Sequence, residues 1–279
     1  MIEAAVLLGG HPDRPVRREG DAVVKTYHAA DGGRIFAEHR MLWDSTLGPR
    51  RRPPGVPEPY SWDAQRRELS MEVVPGEPLG GRGDLGRSLA RAREAATLLA
   101  DLHGCGVRPA RRRGASAVLR SLARKADDLG GGPASREFAR AVARAARMAD
   151  ERDVAGAERL VPTHGDWSPR NVMAGPTGLR MIDFDRLQLA GAGRDLAYWG
   201  AWAWATLALR GDEPSWTPAE SYEAAYLRAR PGARAEVSTT LHFNRTAALL
   251  RIAHGWSALR GRPGLMRAVI AEASACAGG

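Results

Sequence analysis

Asp166, Asn171 and Asp183 lie close together in the chain, in His164-Gly165-Asp166-Trp167-Ser168-Pro169-Arg170-Asn171 and Met181-Ile182-Asp183-Phe184-Asp185. Phosphoryl transfer from a nucleotide needs such a set. One carboxylate must orient the attacking hydroxyl and accept its proton. An amide oxygen and a second carboxylate must hold the metal that neutralises the phosphates. Four residues separate Asp166 from Asn171, which puts them at opposite ends of one tight loop, and a short strand can then deliver Asp183 beside them.

The basic residues supply the next candidate. Of 41, only Lys25 and Lys125 are lysine. Lys25 stands inside an apolar run, Ala22-Val23-Val24-Lys25-Thr26-Tyr27, and a strand-borne ammonium is suited to gripping nucleotide phosphates. Lys125 falls in an arginine-rich helical stretch and reads as a solvated surface charge.

The elements that must position these groups divide into two kinds. Up to about residue 75 the pattern is mixed. Val16 to Tyr27 reads as a hairpin turning at Glu19-Gly20-Asp21. Asp31 reads as the N-cap of a helix carrying Glu38 and running to Leu47. Two strands follow, around Tyr60-Ser61-Trp62 and from Leu69 to Val74, the second broken by Pro75-Gly76-Glu77-Pro78. Beyond it the spacing predicts helices at about 85–104, 115–129, 134–152, 195–210, 217–229, 233–258 and 264–276. Leu160 to Phe184 is the strand-like exception, with a turn at Gly175-Pro176-Thr177-Gly178.

Composition excludes several classes. Hydrophobic content of 44% and charged content of 26% are those of a globular protein. The N-terminal residues carry no basic segment ahead of an apolar one, so a signal peptide is not expected, and the apolar stretch Leu196–Leu209 is too short to span a bilayer. Cys105 and Cys276 form no metal spacing or disulfide framework; a cytoplasmic, reduced protein is expected. The net charge of +9 reads as arginine spread over the surface by a GC-rich coding bias. The runs Arg50-Arg51-Arg52 and Arg111-Arg112-Arg113 lack interleaved aromatics, so no nucleic-acid partner is expected.

Taken in order, these motifs resemble the aminoglycoside phosphotransferase and choline kinase-like family, relatives of protein kinases. The resemblance runs from Lys25 and Glu38 through a hinge-like Met71-Glu72-Val73-Val74 and Leu99-Ala100-Asp101-Leu102-His103 to the loop at 164–171, Ile182-Asp183-Phe184-Asp185 and Asp195-Leu196-Ala197. It implies an α+β, bilobal protein kinase-like fold. Residues 1–74 would form a small N-lobe of antiparallel sheet plus helix, and residues 75–279 a larger, mainly helical C-lobe. By the same resemblance Asp166 is the catalytic aspartate, Asn171 and Asp183 hold Mg²⁺, and Lys25 contacts the α- and β-phosphates with Glu38 as its ion-pair partner. The backbone of Met71, Glu72, Val73 and Val74 meets the adenine edge.

Asp185 replaces the glycine of the related Asp-Phe-Gly motif, and could be a further metal contact or a solvated charge. Leu8 to Pro15 is the candidate phosphate-covering loop. His164 is expected to bond backbone beside the catalytic loop, and Asp195 to cap a helix or accept hydrogen bonds within the core. Trp199, Trp202 and Trp204 could pack in the core or wall an acceptor pocket. The implied activity is transfer of the γ-phosphate of ATP or GTP to a hydroxyl of a small molecule, an antibiotic or related natural product first. The alternatives are a metabolic acceptor such as choline or a sugar, or a non-catalytic ligand-binding protein.

Overall fold

The computed structural model describes residues 6–11, 14–27, 31–81 and 85–278. Five strands make the first sheet: β1 (Val6–His11), β2 (Arg14–Glu19), β3 (Ala22–Thr26), β4 (Pro59–Asp63) and β5 (Glu68–Glu72). They are antiparallel in the order β1-β2-β3-β5-β4. The turn between β2 and β3 uses Gly20 at φ +57°, the left-handed conformation that glycine adopts without a Cβ clash. Val24 is buried, so by strand alternation its neighbour Lys25 projects from the opposite face. Residues 12 and 13, at the tip of the candidate phosphate-covering loop, lie outside the described residues.

Helix α1 (Gly32–Asp44) packs on β4 and β5, with Ile35 meeting Tyr27 and Leu69. It stops three residues before the expected end. Ser45 turns extended, donates its hydroxyl to the Leu42 carbonyl and accepts the Leu47 amide, replacing the next helical turn. Asp31 does not cap this helix through its side chain; the carboxylate binds Arg111 at 2.6 Å instead.

The remainder is mainly helical: α2 (Gly86–Ala90), α3 (Ala92–Gly104), α4 (Ala115–Asp127), α5 (Pro133–Glu151), α6 (Val154–Ala157), α7 (Gly193–Arg210), α8 (Thr217–Ala229), α9 (Arg234–Gly255), α10 (Ser257–Arg260) and α11 (Pro263–Cys276). Two small sheets interrupt it. β6 (Glu77–Pro78), β8 (Val172–Gly175) and β9 (Gly178–Met181) form one, and β7 (Leu160–Thr163) with β10 (Gln188–Gly191) the other. The architecture is therefore α+β, a small antiparallel sheet with one helix against a mostly helical body.

Helix α7 is buried on nearly all sides from Asp195 to Thr206, the pattern of a central core helix. Trp199 stacks on Tyr222 at 4.6 Å between centroids, and Trp202 meets Trp256 edge-on at 6.2 Å. The tryptophan stripe is core packing, each fully buried ring contributing about 2–3 kcal/mol. On α4 the apolar face Val118, Leu122 and Ala126 turns inward, leaving Ala117, Arg120 and Arg124 on the other side. Among the described residues no helix is long and apolar enough to cross a membrane.

Candidate active site

The loop that follows β7 is fixed from beneath by Asp195, at the start of α7. Its carboxylate accepts the backbone amides of His164 (2.7 Å) and Gly165 (2.9 Å) and faces His103 Nε2 at 3.3 Å. Burial pushes this carboxyl up, but His103 and the amides outweigh it and hold it below its ordinary value. Asp195 is thus a buried acceptor. Gly165 sits at φ +76°, where a Cβ would lie 2.4 Å from the Arg186 carbonyl, so only glycine makes this turn without displacing backbone. His164 bonds the Ile182 carbonyl through Nε2 at 2.9 Å, tying the loop to the segment just after β9 that carries Asp183.

Asp166 emerges from that turn nearly buried and between two guanidinium groups. Arg251, from α9, donates to its Oδ1 at 2.8 Å and to the Gly165 carbonyl at 2.5 Å; Arg170 donates to Oδ2 at 3.1 Å. Burial alone would raise this carboxyl. Arg251, Arg170 and Arg186 together outweigh it and hold Asp166 down at about 2. The guanidinium of Arg251 also lies 4.3 Å from the Tyr198 ring centroid, so its own position is set by α7. Asp166 is an ionised, oriented carboxylate, a weak base held in one place.

Asn171 donates Nδ2 to the Asp166 carbonyl at 2.8 Å, which leaves its amide oxygen as the group able to face a cation. Its carbonyl accepts the Ile182 amide at 3.0 Å, bringing Asp183 alongside. Asp183 has φ +67°, a left-handed conformation costly for a residue with a Cβ and maintained by its surroundings. Lys25 reaches across from β3 to Asp183 Oδ1 and Asp185 Oδ2, both at 2.7 Å. Burial would lower this ammonium; the two carboxylates raise it, so it stays charged. Tyr27 donates to Asp185 Oδ1 at 2.7 Å, so Asp185 is a buried, bonded group of the site and not a solvated charge.

Glu38 behaves differently from expectation. It is buried, but its partners are Arg34, one turn earlier on α1, and the amide of Ala110 at 3.0 Å. Both carboxylate oxygens are thereby engaged, and Lys25 is paired with Asp183 and Asp185 instead. Glu38 anchors α1 to the segment after α3. Of the hinge residues Met71, Glu72, Val73 and Val74, Glu72 is tied by its carboxylate to Arg180 (2.6 Å) and to the Glu58 amide (3.0 Å). The Val73 amide reaches the Asp21 carbonyl at 3.4 Å.

A cavity of about 750 Å³ opens beside this site, bordered by Gly165 and Asp185. Much of its wall is arginine: Arg111, Arg113, Arg120, Arg124, Arg186 and Arg194. Lys125, expected at the surface, is half-buried behind it with Nζ 3.2 Å from His254 Nδ1, and burial with Arg251 and Arg186 lowers its ammonium.

The structure brings together Lys25, Asp166, Asn171 and Asp183, the residues the sequence singles out, and adds Arg251, which the sequence does not. The available signal was of the kind that marked Lys25, an arginine inside the apolar run Leu249-Leu250-Arg251-Ile252-Ala253.

The phosphotransferase enzyme family matches residues 5–237. No curated protein sequence matches the chain. Among solved structures, a choline kinase from Streptococcus pneumoniae shares 12% identity over 99% of this chain and 93% of its own, with a TM-score of 0.68. An aminoglycoside phosphotransferase from Alicyclobacillus acidocaldarius shares 16%, covering 98% and 90% of the two chains, at 0.60. The ADP-bound aminoglycoside phosphotransferase APH(2'')-Ib shares 16%, covering 99% and 93%, at 0.58. At these identities the likeness establishes the protein kinase-like fold alone. With the family match spanning most of its length, the chain belongs to the phosphotransferase enzyme family.

Proposed function

We propose that the protein transfers the γ-phosphate of ATP or GTP to a hydroxyl of a small molecule, with an antibiotic or related natural product as the first acceptor class to try. One observation carries this reading: a continuous run of contacts joins Asp166 to Asn171, Asn171 to Ile182 beside Asp183, and Asp183 to Lys25. The acceptor oxygen attacks the γ-phosphorus, the bond to the β,γ-bridging oxygen breaks, and the hydroxyl proton passes to Asp166. In a loose transition state that proton leaves late, so a carboxylate held near 2 serves by orienting the hydroxyl more than by strong basicity.

Lys25 bonds phosphate oxygens, and the backbone of residues 71–74 faces the base. Asn171 and Asp183, hard oxygen donors set for a few contacts plus phosphate and water, suit Mg²⁺, which would neutralise phosphate charge. The ADP bound in one structural neighbour supports the nucleotide assignment. Choline, the substrate class of another neighbour, is less favoured, because Trp199 and Trp202 are buried in the core and offer no open aromatic cage.

The test is Mg²⁺-dependent release of ADP or GDP against a panel of hydroxyl-bearing antibiotics, nucleosides, choline and sugars, with Asp166→Ala in parallel. Acceptor-dependent release, a phosphate added to one compound by mass spectrometry, and loss of at least about 10²-fold in Asp166→Ala are expected. Undiminished turnover in the variant would remove Asp166 from the reaction. Failure to bind nucleotide would remove the kinase reading itself.

A further inference from the structure

The cavity beside Asp166 carries charges that the transfer reaction does not explain. Arg120 and Arg124 come from one face of α4, Arg113 from the segment before it, Arg186 from the turn after Asp185, and Arg194 from the start of α7. Among the described residues none of these five has a carboxylate within salt-bridge distance, and of the carboxylates lining the cavity Asp31 is taken by Arg111 and Asp185 by Lys25 and Tyr27. Nε of Arg113 and Nη1 of Arg194 are buried without a hydrogen-bond partner among the described residues. Such groups are costly unless a counter-charge meets them. Burial first, and neighbouring arginines after it, lower the Arg113 guanidinium and bring Arg194 down to about 9, with Asp195 and Glu158 opposing the fall at Arg194 without cancelling it.

We propose that this cavity binds the acceptor through an anionic group, a carboxylate, sulfate or phosphate, received by Arg113, Arg120, Arg124 and Arg194. The inference rests on the phosphotransferase reading and narrows its substrate class. Gly165, which precedes Asp166 in the chain, borders the cavity, so the hydroxyl to be phosphorylated would pass Gly165 to reach Asp166. Planar guanidinium groups suit such oxyanions because they donate two parallel hydrogen bonds each. The same wall disfavours a polycationic aminoglycoside or a quaternary ammonium, whose charge would be repelled where it must be desolvated.

Inorganic phosphate is the first probe, titrated by calorimetry at constant ionic strength into protein saturated with Mg²⁺ and ADP, so that the nucleotide's own phosphate positions are filled. Glucose 6-phosphate against glucose then tests whether the anion outweighs the neutral part. Three proteins are compared: wild type, Arg120→Glu/Arg124→Glu, and Arg140→Glu/Arg144→Glu. The last pair lies on exposed positions of α5 and makes the same change in net charge. Fluorescent-ADP binding is measured on each.

Wild type should bind phosphate and prefer glucose 6-phosphate, the α4 variant should bind about tenfold more weakly or worse, and the α5 control should match wild type. Equal weakening by both variants would mean a general field and would overturn the inference. So would phosphate binding that vanishes when ADP is present, because the arginines would then serve the nucleotide. Nucleotide binding without anion binding sinks this inference and leaves the kinase reading standing; anion binding without nucleotide binding sinks the kinase reading, and with it the assignment of the anion to a phosphate acceptor.

Discussion

Two neighbouring regions of this molecule handle charge in opposite ways. Around Lys25, Asp183, Asp185, Asp166 and Arg251 each charge has a partner, and the distances are 2.7 to 2.8 Å. Arginines from four places in the chain line the cavity, and no carboxylate pairs with Arg113, Arg120, Arg124, Arg186 or Arg194 among the described residues. A paired cluster is set in advance of binding, because its counter-charges are part of the chain. An unpaired one is stabilised by whatever brings the opposite charge. The difference separates a part that does the same chemistry on every turnover from a part that selects what enters.

Breaking the paired region should produce the largest effects. Asp183→Ala leaves Lys25 with Asp185 alone and removes one proposed metal ligand. Turnover should fall by about 10²-fold or more, and the half-saturating Mg²⁺ concentration should rise. An unchanged Mg²⁺ requirement in steady-state kinetics would take Asp183 out of the metal site.

Arg251→Met comes next. It keeps an aliphatic stem against Tyr198 but, among the described residues, leaves the Asp166 carboxylate with only the half-exposed Arg170 and the Tyr198 hydroxyl. The carboxylate loses its fixed orientation, and a misplaced group of this kind costs about 10- to 100-fold in kcat. Nucleotide affinity should be unchanged, since among the described residues the hydrogen bonds of Arg251 go to the Asp166 turn. If kcat is preserved, the two-sided hold on Asp166 is incidental to transfer. Lys25→Met should act on binding more than on chemistry, raising the nucleotide KM about tenfold; an unaltered KM would separate Lys25 from the phosphates.

These variants also show where sequence reading works. Asp166, Asn171 and Asp183 were legible because a tight loop and a hairpin bring them together locally, and the residue types alone imply the geometry. The C-terminal helices were legible from local sequence too: α4 and α5 carry a clear amphipathic periodicity, and α7 a continuous apolar stretch. Contacts between distant segments were not. Lys25 and Asp183 are 158 residues apart, and the resemblance that paired Lys25 with Glu38 did not anticipate Arg34 and the Ala110 amide as the partners of Glu38. The arginines read as surface charge because a sequence does not show which helix faces meet. Each is unexceptional by itself, and only the fold collects them around one space. Arg251 escaped in the same way, since its partner is set by the crossing of α7 and α9.

The smallest predicted effect sharpens the comparison from the opposite sign of charge. Beneath β10, Glu236 accepts the Ala192 amide at 2.8 Å and Glu158 the Ala115 amide at 3.1 Å, with Arg230 and Arg194 nearby. Burial, with Glu158 adding to it, pushes the Glu236 carboxyl up to about 7 against the pull of the Ala192 amide and Arg230. Its folded value thus exceeds the ordinary 4.5, and between those two pH values the folded protein holds a proton that the unfolded chain has released. This group's contribution to stability is present at pH 4.5, falls as pH rises to about 7 and is constant above that. Glu158, raised for the same reason, slopes the same way, whereas His39, lowered by burial to about 4, slopes the other way. The informative quantity is therefore the difference between wild type and Glu236→Gln. Glutamine can still accept the Ala192 amide and never ionises, so the two proteins should melt together at pH 5 and the variant about 2–4 °C higher at pH 8. Melting curves that stay parallel across this range would mean that Glu236 ionises freely where it sits, and that like charges are tolerated on both sides of β10 without a ligand to relieve them.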